Sequence, residues 1–264
     1  MSTNQINPIL QVIEKLLGPN GCPWDKKQTP ATLCDYIIEE AYELVEAIRQ
    51  GDETDVSEEI GDVLFLLFFV ATLYEGKGLF SLQDAIDSTA AKMIRRHPHV
   101  FGDLELENQE ELLANWERIK QEEKKSQGEK KGVFSSLPAS LPPLLKAYRI
   151  NSKSARIGFT WENTEQVEQQ IHEEWRELKE ALSQDEPEKI EEEIGDLLFT
   201  FVEYARRQGI KSNTALDRTN RKFLHRFHTM EQLAQSRGLK LTELPLEEKN
   251  QLWDEAKREE EKQE

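Results

Sequence analysis

Positive charge is in short supply in this chain. Against 51 Asp and Glu stand 34 Lys and Arg, a net of −17. That speaks against a nucleic-acid-binding protein, whose footprint would be basic, so no nucleic acid is expected as partner. It does not exclude a nucleotide, because a bound cation can invert the local field. Long apolar runs are missing too. The longest, Val63 to Leu73, is well short of the roughly 20 residues a membrane-spanning helix needs. It reads as a buried helix, and no membrane partner is expected. There are only two cysteines, Cys22 and Cys34; they lack metal-ligand spacing and are too few for a disulfide framework. The N-terminus has no signal-peptide pattern. A reduced, cytoplasmic location is the expectation. No Glu stands three positions before any of the five histidines, so the Glu-x-x-His signature of di-iron bundles is absent and an oxidase is disfavoured. Strand signals are scarce.

What is present is acid, and it is patterned. Glu39-Glu40-x-x-Glu43 is followed by Glu59-x-x-Asp62. Glu173-Glu174-x-x-Glu177 is followed by Glu193-x-x-Asp196, with the same interval between the two clusters, so the acids of the two copies keep one constant offset. Side chains three positions apart share a helix face. Each copy therefore offers two helices, each with a carboxylate pair on one side. Converging carboxylates repel unless a cation lies between them, and hard divalent ions suit oxygen ligands. Among 51 acids, a lone Glu-x-x-Glu is usually a solvated face. Duplication argues otherwise, as does the apolar stretch behind Asp62 and Asp196. Gly61 and Gly195 lie inside these helices, where Gly costs roughly 1 kcal/mol against Ala; close helix approach would explain them.

Helical periodicity places helices over 35–50, 56–74, 82–96 and 110–125, then 163–184, 187–207, 212–238 and 246 to the end. The prolines at 138, 142 and 143 mark extended chain or a helix start. The repeat continues outside the acids. Gly21-Cys-Pro-Trp24-Asp25 matches Gly158-Phe-Thr-Trp161-Glu162, and the segment from Ala85 to Arg96 matches that from Ala215 to Arg226. The expected fold is all-α: two tandem helical-bundle domains, 1–120 and 137–264, joined by a charged linker, 121–136. Each is too short of partners to bury its apolar faces, so a homodimer is expected to complete the bundles.

Each copy also carries a Lys-x-x-x-Arg pair, Lys92 and Arg96, then Lys222 and Arg226. Lys is a point charge suited to phosphate and Arg adds a planar fork. Carboxylates holding Mg²⁺ opposite such a pair form a site for a polyphosphate. The residues alone leave a second reading open: a non-catalytic helical interaction module with metal-binding acids. The retained Lys/Arg pairs favour the enzyme. Asn220, which can orient a sugar or phosphate, stands where the first copy has Ala90.

These motifs resemble the MazG family of the all-α NTP pyrophosphatase superfamily, from about Ile6 to Trp253. Arg95-Arg-His-Pro-His-Val-Phe101 and Leu141-Pro-Pro-Leu144 add to the likeness. The resemblance implies Mg²⁺-dependent hydrolysis of nucleoside triphosphates, ATP included, to monophosphate and pyrophosphate, with broad base tolerance and Mn²⁺ as a substitute ion. It implies metal ligands Glu174, Glu177, Glu193 and Asp196. Triphosphate and nucleotide contacts would be Lys189, Glu192, Lys222 and Arg226, with Trp253 near the base. The N-terminal counterparts would be Glu40, Glu43, Glu59 and Asp62, with Lys92 and Arg96. The C-terminal copy would be the main catalytic one. One departure is the absence of a Lys just ahead of the second Glu-Glu pair, where this chain reads Glu168-Gln-Gln-Ile-His172.

Overall fold

A computed structural model describes residues 7–104, 111, 112, 115, 118, 119, 123 and 132–261. The chain divides into two compact units, Met1–Gly128 and Glu129–Glu264. The described residues contain helices and no strand. In the first unit these are α1 (Asn7–Leu17), α2 (Cys34–Gln50), α3 (Glu53–Glu75), α4 (Leu82–Arg96) and the short α5 (Pro98–Phe101). In the second they are α6 (Pro143–Arg156), α7 (Thr164–Gln184), α8 (Pro187–Arg207), α9 (Ser212–Ser236) and α10 (Leu246–Glu260). The expected helix over 110–125 and the linker fall largely outside the described residues.

The sequence dictates the helix ends. Asp52 accepts hydrogen bonds from the backbone N–H of Thr54 and Asp55, satisfying two donors that a helix start leaves open. That cap starts α3 at Glu53 rather than at Val56, where the apolar pattern alone would begin it. Ser81 and Asp84 form a capping box on α4, and Asn163 caps α7 through the Gln166 N–H. The turn between α2 and α3 needs a left-handed residue, supplied by Gly51 at φ 78°. The matching turn between α7 and α8 uses Asp185 at φ 54°. Asp is one of the few side chains that tolerate this region. Gly21 is required for another reason: a Cβ there would lie 1.9 Å from the Leu16 carbonyl oxygen.

These two turns fold α2 onto α3 and α7 onto α8, the most extensive helix pairs in their units. The first unit's core joins Ile13 of α1, Leu33, and Leu66 and Phe69 of α3. A core cluster in the second joins Met230 and Ala234 of α9 to Leu252 and Ala256 of α10. The expectation that neighbouring helices crowd Gly61 and Gly195 is not met: a Cβ at either would meet nothing within 4 Å. Both lie beside exposed apolar residues instead. Ile60, Leu64 and Leu67 on α3 are 40–47% exposed, and their counterparts Ile194, Leu198 and Phe201 on α8 are 44–52% exposed. Spacings of four and three put each trio on one helix face.

Candidate metal centre

Each α-hairpin brings its acids together across the helix pair. Glu174 and Glu177, one turn apart on α7, meet Glu193 of α8, with one carboxylate oxygen from each lying within 4.8 Å of the others. Glu40 and Glu43 of α2 meet Glu59 of α3 in the same way. The i, i+3 spacing on the first helix and the antiparallel turn thus build the same three-acid cluster twice. Asp196 and Asp62 stand one turn further along, outside these trios but near enough to act on them. Glu193 is only 7% exposed. Burial, then repulsion from Glu177 and Glu174, hold its carboxyl above the usual range; Lys189 opposes this in part. In the first unit, burial followed by Glu43 and Asp62 raises Glu59. Burial followed by Glu43, Asp62 and Glu59 raises Glu40.

The donor set fits a hard divalent cation. It consists of carboxylate oxygens only, gathered where their charges oppose one another. The Glu59 Oε2 atom is buried and has no hydrogen-bond partner among the described residues, an unfavourable state for a carboxylate without a cation. In the second unit, Gln170 Nε2 donates to Glu174 Oε1 at 2.8 Å and so orients one ligand. Nothing in the acid pattern singles out Gln170; its place one turn before Glu174 is the only signal.

In both Lys/Arg pairs the arginine is held by a glutamate outside the three-acid clusters. Arg226 is ion-paired with Glu260 of α10. Arg96 is ion-paired with Glu123 at 2.7 Å. Hydrogen bonds from Arg96 and then Arg95 hold the Glu123 carboxyl low, against its burial. Glu123 and Glu260 are separated by the same interval as Trp116 and Trp253. The two Arg–Glu pairs are therefore one repeated feature, which the acid motifs do not signal. Lys222 and Asn220 are exposed on α9, Glu192 is exposed on α8 and Lys92 is half-buried on α4. No hydrogen bond or ion pair joins any of these four to the acids among the described residues. Trp253 packs on Phe223 with ring centroids 4.9 Å apart.

Close to the site's scaffold lies an unanticipated buried group. Glu203 of α8 is 1% exposed. It accepts hydrogen bonds from Arg206 at 2.7 Å and Arg207 at 3.0 Å, and one from Thr160. Arg207 also donates to the Trp161 carbonyl. The Gly158–Glu162 motif that leads into α7 is thereby fastened to α8.

Comparison with known proteins finds one family. The family model described as the MazG nucleotide pyrophosphohydrolase domain matches twice, over residues 28–101 and 162–230. A nucleoside triphosphate pyrophosphohydrolase of Escherichia coli K12 is 40% identical over 260 residues, 97% of this chain and 98% of its own. The nucleoside triphosphate pyrophosphohydrolase/pyrophosphatase MazG of Thermotoga maritima is 41% identical over 94% of each chain. A crystal structure of a mazG-related protein from Thermotoga maritima covers 44% of this chain and 98% of its own, at 30% identity and a TM-score of 0.39.

Proposed function

The chain belongs to the MazG nucleotide pyrophosphohydrolase family, and we propose that it hydrolyses nucleoside triphosphates to nucleoside monophosphate and pyrophosphate. The observation that carries this reading is the twice-built cluster of three glutamates on facing helices. Similarity to pyrophosphohydrolases over nearly the whole chain supports it. Glu174, Glu177 and Glu193, with Asp196 beside them, would hold Mg²⁺, which when bound neutralises phosphate charge and acidifies a coordinated water. Gln170 fixes the Glu174 carboxylate. Lys189 brings a positive charge to the same edge of α8, where the acids would otherwise repel a triphosphate. Lys222 and Arg226 are suited to phosphate oxygens, and Arg226 would exchange Glu260 for them. Trp253 offers a ring for a base, and Asn220 an amide for the sugar or a phosphate. Water attacks the α-phosphorus, the bond to the α–β bridging oxygen breaks, and pyrophosphate leaves with that oxygen.

The domain boundaries belong to the same reading, with residues 137–264 as the main catalytic copy. So does the homodimer. Two equivalent apolar trios, Ile60/Leu64/Leu67 and Ile194/Leu198/Phe201, stand exposed beside glycines that nothing crowds. A second copy would cover them.

Incubation with Mg²⁺ and a nucleoside triphosphate in ¹⁸O-labelled water tests the reaction. The expected products are pyrophosphate and a monophosphate carrying the label. Label in pyrophosphate means attack at the β-phosphorus; labelled orthophosphate with a diphosphate means an ordinary NTPase. Absence of turnover favours the interaction module.

A further inference from the structure

The second unit holds a cavity of about 310 Å³ between one face of α6 and the first turn of α9. Its wall on α6 includes Tyr148, Arg149, Ser152 and Arg156, which successive helical spacings bring to one side. Its wall on α9 is Lys211, Ser212, Asn213 and Thr214. Three cations, three hydroxyl-bearing Ser and Thr side chains and an amide thus line one cavity, and no Asp or Glu lines it. In a chain of net charge −17, an acid-free pocket open to solvent and lined by exposed cations is against the general trend. Arg149 and Lys211 form no ion pair among the described residues. The Ser212 hydroxyl oxygen is buried without a hydrogen-bond partner, which costs free energy unless something supplies one.

Repeat comparison sharpens the point. Lys211 and Thr214 stand where the first copy has Ser81 and Asp84. There, Ser81 and Asp84 cap α4 and place a carboxylate against its opening N–H groups. In α9 the N-cap is Lys211, with no side-chain cap and no acid in the first turn. The negative charge that closes one helix start is replaced by a positive one at the other. Two cations, the unpartnered hydroxyl and the open N–H groups of a helix start are all groups that suit an anion.

We propose that this cavity is a second anion site, separate from the carboxylate clusters, which takes a phosphate or pyrophosphate group. Arg149 presents a planar fork and Lys211 a point charge, a pairing suited to a tetrahedral oxyanion with several acceptor oxygens. The cavity's size is at the small end of ligand sites, right for a phosphate group with little attached.

The test uses the full chain in EDTA at constant ionic strength, so that no metal-held triphosphate contributes. Calorimetric titration with sodium pyrophosphate, sodium phosphate and AMP should show saturable binding of at least one, at one per chain. Arg149→Gln and Lys211→Gln should each weaken it by about tenfold or more, while Arg149→Lys keeps part of it. Lys222→Gln and Arg226→Gln, at the proposed substrate contacts, should leave it unchanged. Both pairs replace side chains that no core cluster contains, and equal thermal melts confirm that the variants fold. Tighter pyrophosphate than AMP assigns the site to free inorganic anions; the reverse assigns it to the phosphate of a nucleotide. No saturable binding, or binding insensitive to Arg149 and Lys211 but lost with Lys222 or Arg226, overturns the proposal. Because no turnover is measured, this outcome is independent of the hydrolase reading.

Discussion

Phe69 and Glu203 occupy one and the same position of the two repeats, and each is 1% exposed. In the first unit a phenyl ring fills the place, packed 5.8 Å from the Phe65 ring centroid. In the second a carboxylate fills it, held by Arg206 and Arg207, whose counterparts are Thr72 and Leu73. One helix hairpin has two solutions for its interior, one apolar and one ionic. The ionic one also reaches Thr160 and, through Arg207, the Trp161 carbonyl.

Glu203→Ala should destabilise the second unit by about 3–5 kcal/mol, because two guanidinium groups lose their counter-ion. Glu203→Phe alone should be little better. The triple change Glu203→Phe, Arg206→Thr, Arg207→Leu, which copies the first repeat, should recover much of the loss. Denaturant melts decide; a triple variant as unstable as Glu203→Ala would show that the network does more than fill space.

The same glutamate gives a pH dependence. Burial pushes its carboxyl up, but hydrogen bonds and charge from Arg206 and Arg207 outweigh that and hold it below its ordinary value. A carboxyl depressed by folding stabilises above its unfolded value, and that stability is lost as pH falls through the folded value. Acid titration followed by circular dichroism should show this loss below the ordinary carboxylate range, and Glu203→Gln should flatten that part of the curve. An unchanged curve would falsify the assignment.

Glu193 has the opposite sign. Its carboxyl is raised by burial and by Glu177 and Glu174. Its contribution in metal-free protein is therefore fully present below the unfolded value and is lost as pH rises through the raised one. At neutral pH the cluster works against the fold until a cation binds. Mg²⁺ should raise the melting temperature at pH 7 and do so less as the pH is lowered. EDTA should reverse the effect, and Glu193→Gln should diminish it. Equal Mg²⁺ shifts for wild type and Glu193→Gln would remove these acids from the metal site.

How legible all this is varies by residue. The helix pairs are readable because Gly51, Asn163 and Pro187 punctuate apolar periodicity at the right places; the Asp52 cap is not read, so the expected start of α3 falls three residues late. Glu174, Glu177 and Glu193 are readable because spacing along two helices sets which carboxylates can meet. Helix α1 is absent from the expected helices although Pro8 opens it, Gly18 and Pro19 follow it and its apolar residues recur at helical spacing; α6 shows only as a start after the prolines. Gly61 and Gly195 mislead because glycine in a helix has several causes, and only coordinates show what stands beside it. The Glu203 network is hidden for a related reason. Its partners Thr160 and Trp161 lie before α7, on the far side of that helix in sequence, and a lone Glu in an apolar helix carries no local signature.

The two carboxylate clusters should not be equally active. Glu177→Ala should lower pyrophosphate release by more than about tenfold, since even outer-shell partners of a metal are worth roughly 10–100-fold. Glu43→Ala should have little effect, for the first unit lacks an equivalent of Asn220 and is the more acidic half. Steady-state rates of the two variants measure this; equal losses would make both copies catalytic.

Leu198→Asp and Leu64→Asp should each weaken self-association, seen as a lower mass by light scattering at micromolar concentration. Neither should change helix content, because both side chains are already about half in solvent. A wild-type monomer at that concentration would count against the homodimer.

In the proposed homodimer the exposed trios would also set the valence of the chain. A molecule with two adhesive faces can link into open strings unless the faces tell each other apart. On α3 and α8 they are alike, but the preceding helices differ. Ile38, Tyr42 and Val45 of α2 correspond to His172, Arg176 and Lys179 of α7. The helix before one trio therefore exposes apolar side chains, and the helix before the other carries nitrogen-bearing ones at the same positions. Two copies that pair like with like at both faces at once would satisfy each other and leave nothing for a third molecule to join.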